Sequence, residues 1–170
     1  ALSYFEKAHR LRVDLYEKER ASSEMQWDIS GTYYRLGTAN LALGRAAEAE
    51  QNYRESLALR ETVAAQDPKN TTKRIDLMVT QARCGKHAEA VTSAEELRKL
   101  VFPNPATLVS IASTYALSVP AVANGKPTDE LPADARKLQD QYASAAIRAI
   151  TEAIERGYRD LVTLESDPDL

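Results

Sequence analysis

Cysteine is all but missing: Cys84 is the only one in 170 residues, so no intramolecular disulfide forms and no oxidising compartment is implied. Histidine occurs twice, as His9 and His87, and no His or Cys pair has zinc-ligand spacing, so no metal is expected. Aromatic residues make up 6% of the chain, which argues against a β sandwich. Lys and Arg number 22 against 25 Asp and Glu, a formal net charge of −3. Without a basic surplus there is no general attraction to nucleic acid or anionic lipid. No apolar run is long enough to cross a bilayer and no signal peptide opens the chain, so direct membrane insertion is not expected and a cytoplasmic location is.

What is present is 44% hydrophobic content, rich in Ala and Leu and interleaved with Glu and Arg, a composition that favours helix. Leu2, Phe5, Ala8, Leu11 and Leu15 recur at helical spacing and predict an amphipathic helix over residues 1–20. Ser22 and Ser23, followed by Glu24 and Asp28, predict a capped helix running to about Leu43. Gly44 ends it, because a residue without Cβ adopts the left-handed turn at little cost. A helix from Ala46 to about Gln66 follows and stops before Asp67-Pro68, since the residue before proline is driven out of the helical region.

The turn then repeats. Gly85-Lys86-His87-Ala88-Glu89-Ala90 lines up with Gly44-Arg45-Ala46-Ala47-Glu48-Ala49, 41 residues apart. In the same register Arg74 and Met78 replace Tyr33 and Gly37, and the bulk of Met78 is expected to spread its helix pair or to lie against a neighbouring repeat. Pro103 and Pro105 break the chain before a helix predicted over about Ala106–Ser118, with Leu108, Ile111, Ala112 and Tyr115 inward. A Pro- and Gly-containing insertion over 120–132 precedes a last long helix, Ala133 to Arg156, closed by Gly157.

The stretch Tyr33 to Leu59, with Gly37 inside one helix, Gly44 at the turn and Ala49, Tyr53 and Ser56 along one face of the next helix, resembles a tetratricopeptide repeat. The resemblance implies an all-α superhelical solenoid of antiparallel helix pairs, about seven helices in all. The units are the second helix of a begun repeat (1–20), a complete extended repeat (22–67), a repeat (71–101), a divergent repeat carrying the 120–132 loop (104–157), and a cap or further repeat (158–170). The 41-residue spacing exceeds the usual 34 and is similar to that of kinesin light chains. Phe5-Glu-Lys-Ala-His-Arg-Leu-Arg aligns with Tyr53-Arg-Glu-Ser-Leu-Ala-Leu-Arg, so the chain is expected to start halfway through a repeat of a longer protein.

Ala82 to Ala90, Tyr115-Ala116-Leu117, Tyr142 to Asp160 and Asp167-Pro168-Asp169-Leu170 also resemble the repeat-bearing tail of large planctomycete-type bacterial serine/threonine kinases. No glycine-rich nucleotide loop, His-Arg-Asp or Asp-Phe-Gly triplet occurs. No kinase site is therefore carried over.

No catalytic or cofactor-binding set is visible either. The histidines read as solvated surface residues and Cys84 as a small apolar residue before the turn. The carboxylates alternate with Arg and Lys at i+3 and i+4, as in helix-surface ion pairing. Asn70-Thr71-Thr72 reads as an exposed loop and helix cap, and Trp27 and Tyr33 as core packing. The expected activity is non-catalytic protein–protein recognition.

In repeats of this family the first helix of each pair lines a concave groove that holds a peptide or partner protein. Carried onto this chain, the groove residues are Tyr34, Arg35, Thr38, Leu41 and Ala42, then Ile75, Val79, Ala82 and Arg83, then Val109 and Ser113. Two arginines among aliphatic positions suit a peptide with aliphatic side chains and an acidic residue. The alternative for these residues is packing against the chain's own segments, such as the 120–132 loop. For the chain as a whole the alternatives are a free-standing adaptor and a homo-oligomer joined through apolar faces such as Leu2, Phe5 and Leu11.

Overall fold

The computed structural model describes residues 22–100 and 104–160, together with residues 7, 10 and 11. Among them the fold is all-helical, with six α-helices and one 3-10 turn. They are α1 (Ser23–Ala42), α2 (Ala46–Gln66), α3 (Thr71–Arg83), α4 (His87–Leu100), α5 (Pro105–Ala123) and α6 (Ala133–Glu155). A seventh helix, predicted over 1–20, and the cap predicted over 158–170 fall largely outside the described residues. Lys7, Arg10 and Leu11 are helical and exposed.

Two start signals, at Ser22 and Asn70, act as the sequence leads one to expect, and Asn104 supplies a third cap. Ser22 has extended backbone and its Oγ accepts from Met25 N at 3.2 Å, capping α1. Asn70 Oδ1 accepts from Lys73 N at 3.2 Å at the start of α3, and Asn104 Oδ1 from Thr107 N at 2.8 Å at the start of α5, whose first residue is Pro105.

The stops of α1, α3 and α6 share one geometry. Gly44 N donates to Leu41 O at 3.0 Å and Arg45 N to Asn40 O at 2.9 Å; Gly85 N to Ala82 O at 3.0 Å and Lys86 N to Gln81 O at 2.9 Å; Gly157 N to Ile154 O at 3.0 Å and Tyr158 N to Ala153 O at 2.9 Å. This is the paired-bond Schellman closure, which needs a left-handed residue at its centre. The φ values of +73°, +74° and +100° supply it.

The chain forms two compact units, residues 1–80 and 81–170, so the division falls inside α3. In the first unit α1 packs on α2 around Ile29, Leu36, Ala49, Tyr53 and Leu57, all buried. The helices come close at Gly37: a Cβ there would lie 2.7 Å from Tyr53 Cε1. At the positions 41 residues on stand Met78 and Ala94, both with no exposed surface.

In the second unit α5 packs on α6. Leu108, Val109 and Ala153 form a cluster against which Ile150 and Tyr158 lie, and the rings of Tyr115 and Tyr142 are 6.0 Å apart.

Two sequence expectations are corrected here. α5 runs through Pro120 to Ala123, five residues beyond the predicted end, because Pro120 falls in the last turn, where its missing N–H withdraws a single bond. Asn124, at φ 47° and ψ 45°, makes the actual stop. The connection is correspondingly shorter, with the turn Thr128–Glu130 followed by buried Leu131. At 19 residues α5 is also long and apolar enough to cross a membrane by length and composition, contrary to expectation; half of it is buried within the protein.

Candidate functional site

The expected groove residues fall into three groups. Arg35 and Leu41 are exposed on α1, Leu41 at 45%, and Ala42 at its end is exposed too. Tyr34 and Thr38 on the same helix are half-buried, as are Ile75 and Val79 one turn apart on α3. All of these belong to the first unit, whereas Ala82 and Arg83 belong to the second; Ala82 is buried and Arg83 half-buried.

Val109 and Ser113 do not face a partner. Val109 is part of the α5–α6 core, and Ser113 is buried with its hydroxyl donating to Val109 O at 3.1 Å. Their places on α5 follow the core stripe because α5 is apolar over most of its circumference, so no polar side of the helix marks an outer face.

Tyr34 departs from expectation in another way. Its ring lies edge-on to Tyr53 at 5.3 Å, and the Arg60 guanidinium sits over it, with Cζ 4.8 Å from the ring centre. Thr38 Oγ1 lies 3.1 Å from the Tyr53 hydroxyl and also donates to Tyr34 O at 3.2 Å. Tyr34 is therefore one wall of a polar cluster as well as a surface residue.

Arg60 is the centre of that cluster. Only 7% of it is exposed, yet its donors find partners. Nη1 donates to Asp76 O at 2.8 Å and to Thr80 Oγ1, Nε to Ser30 Oγ at 3.4 Å, and Nη2 lies 3.9 Å from the Asp76 carboxylate. Asp76 Oδ2 in turn accepts from Trp27 Nε1 at 2.8 Å. Ser30 Oγ donates to Trp27 O at 2.6 Å, and Ser56 Oγ donates to Ser30 O at 2.8 Å.

Burial pushes the Arg60 guanidinium below its ordinary value; Asp76 and Tyr34 pull it back up, while nearby Arg35 adds to the lowering. The network joins α1 (Trp27, Ser30, Tyr34), α2 (Ser56, Arg60) and α3 (Asp76, Thr80). Residue types of this kind could serve ligand binding. Here they bond to one another; on the same helices Arg35 and Leu41 are exposed and Thr38, Ile75 and Val79 are half-buried.

Arg60 and Asp76 escape a reading based on motifs. The signal that finds Arg60 is register: the buried stripe Ala49, Tyr53, Ser56 continues at i+4 to Arg60 and then to Val63. Trp27, expected as core packing, is half-buried, and its N–H is spent on Asp76.

The second unit has its own polar row. The Tyr115 hydroxyl donates to Glu95, and burial, followed by that bond, holds the phenol above its ordinary value. His87 Nδ1 lies 3.3 Å from the Tyr142 hydroxyl with the rings 5.9 Å apart, so His87 is a half-buried α4–α6 contact rather than the solvated residue expected. Burial raises the Tyr142 phenol as well. Arg98 and Arg156 both pair with Glu152, the latter at 2.7 Å.

Among the described residues no group of three His, Cys, Asp or Glu is placed to hold a metal ion. The sequence matches no protein-family model, and no curated protein matches it.

Proposed function

We propose that this chain is a non-catalytic protein–protein interaction module built from tandem helix hairpins of the tetratricopeptide type, serving as an accessory region of a bacterial serine/threonine kinase. The observation that carries the hairpin reading is the recurrence of one turn. The glycine closures at Gly44 and Gly85, 41 residues apart, have φ values within a degree of each other and the same two backbone bonds. Each is followed by a helix whose fourth residue, Ala49 or Ala90, is buried. A repeated supersecondary unit of this kind stacks into an array whose first helices present an accessible face.

In the first unit that face consists of Arg35 and Leu41 on α1 with Tyr34 and Thr38 beside them, and of Ile75 and Val79 on α3. It combines a guanidinium with aliphatic side chains and suits an extended or helical peptide carrying aliphatic residues and one carboxylate. The test is selection of binders from a displayed random-peptide library, followed by titration of a selected peptide into isotope-labelled protein.

The expected result is a peptide with an acidic residue, amide shifts centred on Arg35, Leu41 and Ile75, and affinity reduced about tenfold or more by Arg35→Ala, the loss of one charge-assisted hydrogen bond. Shifts confined to other elements, or an affinity indifferent to Arg35→Ala, refute the assignment. The kinase link is tested separately by peptide mapping of the natural polypeptide. A nucleotide loop and catalytic aspartate on the same chain support it, and a chain carrying repeats only refutes it.

A further inference from the structure

Two glycines lie inside α1, and the packing of the hairpin accounts for one of them. After proline, glycine is the residue a helix interior tolerates least. At Gly37 a Cβ would strike the Tyr53 ring. At Gly31 it would meet, among the described residues, Arg35 Nη1 alone, at 3.8 Å, an ordinary contact. The hairpin itself therefore does not require the missing side chain at 31. A helical glycine without such an internal reason marks a place where another molecule comes close.

The surroundings of Gly31 say what that molecule carries. Trp27 is attached one turn before it and Arg35 one turn after, on the same side of α1. Helix side chains lean towards the N-terminus, so the Arg35 guanidinium reaches back over Gly31, and the hollow left at Gly31 opens over the turn that bears Trp27. Trp27 is half-buried and its N–H is held by Asp76 Oδ2 at 2.8 Å, so the indole is fixed and its apolar surface is what it can offer a ligand. Arg35 is exposed and makes no ion pair among the described residues. It adds to the charge of Arg60, whose counter-ion Asp76 is already bonded to Trp27. The nearest carboxylate on α1 itself, Asp28, is attached seven residues before Arg35, about 10 Å along the helix. An anionic group is thus the complement this corner lacks.

We propose that Gly31 seats an aliphatic side chain of the bound peptide, packed on the Trp27 indole, and that the neighbouring peptide residue supplies the carboxylate that pairs with Arg35. The inference rests on the reading of α1 and α3 as a peptide-binding face and adds to it a subsite one turn further along α1. A hollow flanked by a fixed aromatic ring and a guanidinium is the kind of place where one side chain anchors an interface.

The experiment uses the 170-residue chain and one synthetic peptide selected on it from a displayed random library. Affinity for the parent, Gly31→Ala and Arg35→Ala is measured by calorimetry, Trp27 emission is followed in a parallel titration, and melting midpoints are taken without peptide. The expected effects of Gly31→Ala have opposite signs. Its midpoint should rise by about 2–4 °C, because a poor helix former is removed, while the added methyl fills the seat and should weaken the peptide about tenfold. Trp27 emission should move to shorter wavelength as the parent binds. Binding that is lost with Arg35→Ala but untouched by Gly31→Ala, or that leaves Trp27 emission unmoved, overturns the subsite and leaves the peptide face standing. Failure to select a peptide, or binding indifferent to Arg35→Ala, overturns both. A lowered Gly31→Ala midpoint also overturns the subsite, since the chain's own residues then fill the position.

Discussion

Removing the Asp76 carboxylate should loosen α3 from the first hairpin, and the structure sets the scale of the effect. Two unit charges 3.9 Å apart, the Arg60–Asp76 separation, attract by about 4 kcal/mol at an effective dielectric of about 20. Part of that is offset, because Asp76, with its side chain 31% exposed, gives up some hydration to sit there. Arg60 also keeps the Asp76 main-chain oxygen and Thr80 after the substitution. Against this, Trp27 Nε1 loses its acceptor, a further cost of about 1–2 kcal/mol.

Asp76→Ala should therefore destabilise the first unit by roughly 2–4 kcal/mol, a large share of the 5–15 kcal/mol typical of a domain. Asp76→Asn, which retains an acceptor for Trp27, should cost about 1–2 kcal/mol less. Replacing both partners, Arg60→Met with Asp76→Leu, should be neutral within about 1 kcal/mol, because no buried charge is then left alone. Trp27 is the only tryptophan, so urea unfolding followed by its emission reports this cluster directly. An Asp76→Ala midpoint equal to the parent's would refute the argument, as would a double replacement more damaging than either single one.

Gly37→Ala gains about 1 kcal/mol of helix propensity, yet it places a Cβ 2.7 Å from the Tyr53 ring, which Tyr34 and Thr38 hold in position. A net loss of about 1–2 kcal/mol is expected by thermal unfolding, and a gain would show the ring to be free to move. Gly44→Ala and Gly85→Ala meet nothing within 4 Å but occupy φ +73° and +74°. Each should therefore cost about 1 kcal/mol, and by similar amounts; neutral variants in chemical denaturation would contradict the turn argument.

Stability should also fall in alkali. The Tyr115 phenol is raised above 10.0 in the folded state, so its neutral form is favoured by folding. That contribution is complete below the unfolded value of about 10 and is lost as pH climbs from there towards the folded value, at up to about 1.4 kcal/mol per unit. Tyr115→Phe should flatten the slope of unfolding free energy between about pH 10 and 11. An unchanged slope would assign it to other groups such as Tyr142.

The exposure of the candidate residues was legible in the sequence where they lie off the buried stripe of their helix. Arg35 and Leu41 are exposed because neither falls on the buried stripe Ile29, Leu36, Asn40 of α1, a pattern with the helical period. Val109 and Ser113 were misjudged because an apolar helix buried on most sides carries no periodic mark of its outer face. Arg60 was missed for the converse reason. A charged residue on a buried face reads as surface until its counter-ion, 16 residues away on another helix, is known to be there.

By itself the sequence determined the elements. Alanine- and leucine-rich stretches with 3.6-residue periodicity, serine and asparagine caps, and glycines at 44, 85 and 157 set the all-helical character and most helix ends, because capping and the left-handed turn are local chemistry. Only the tertiary structure decided that Gly37 faces the Tyr53 ring, that His87 meets Tyr142 and that Arg60 is satisfied inside the protein. Each of these depends on groups brought together from different helices, and no local preference encodes that proximity.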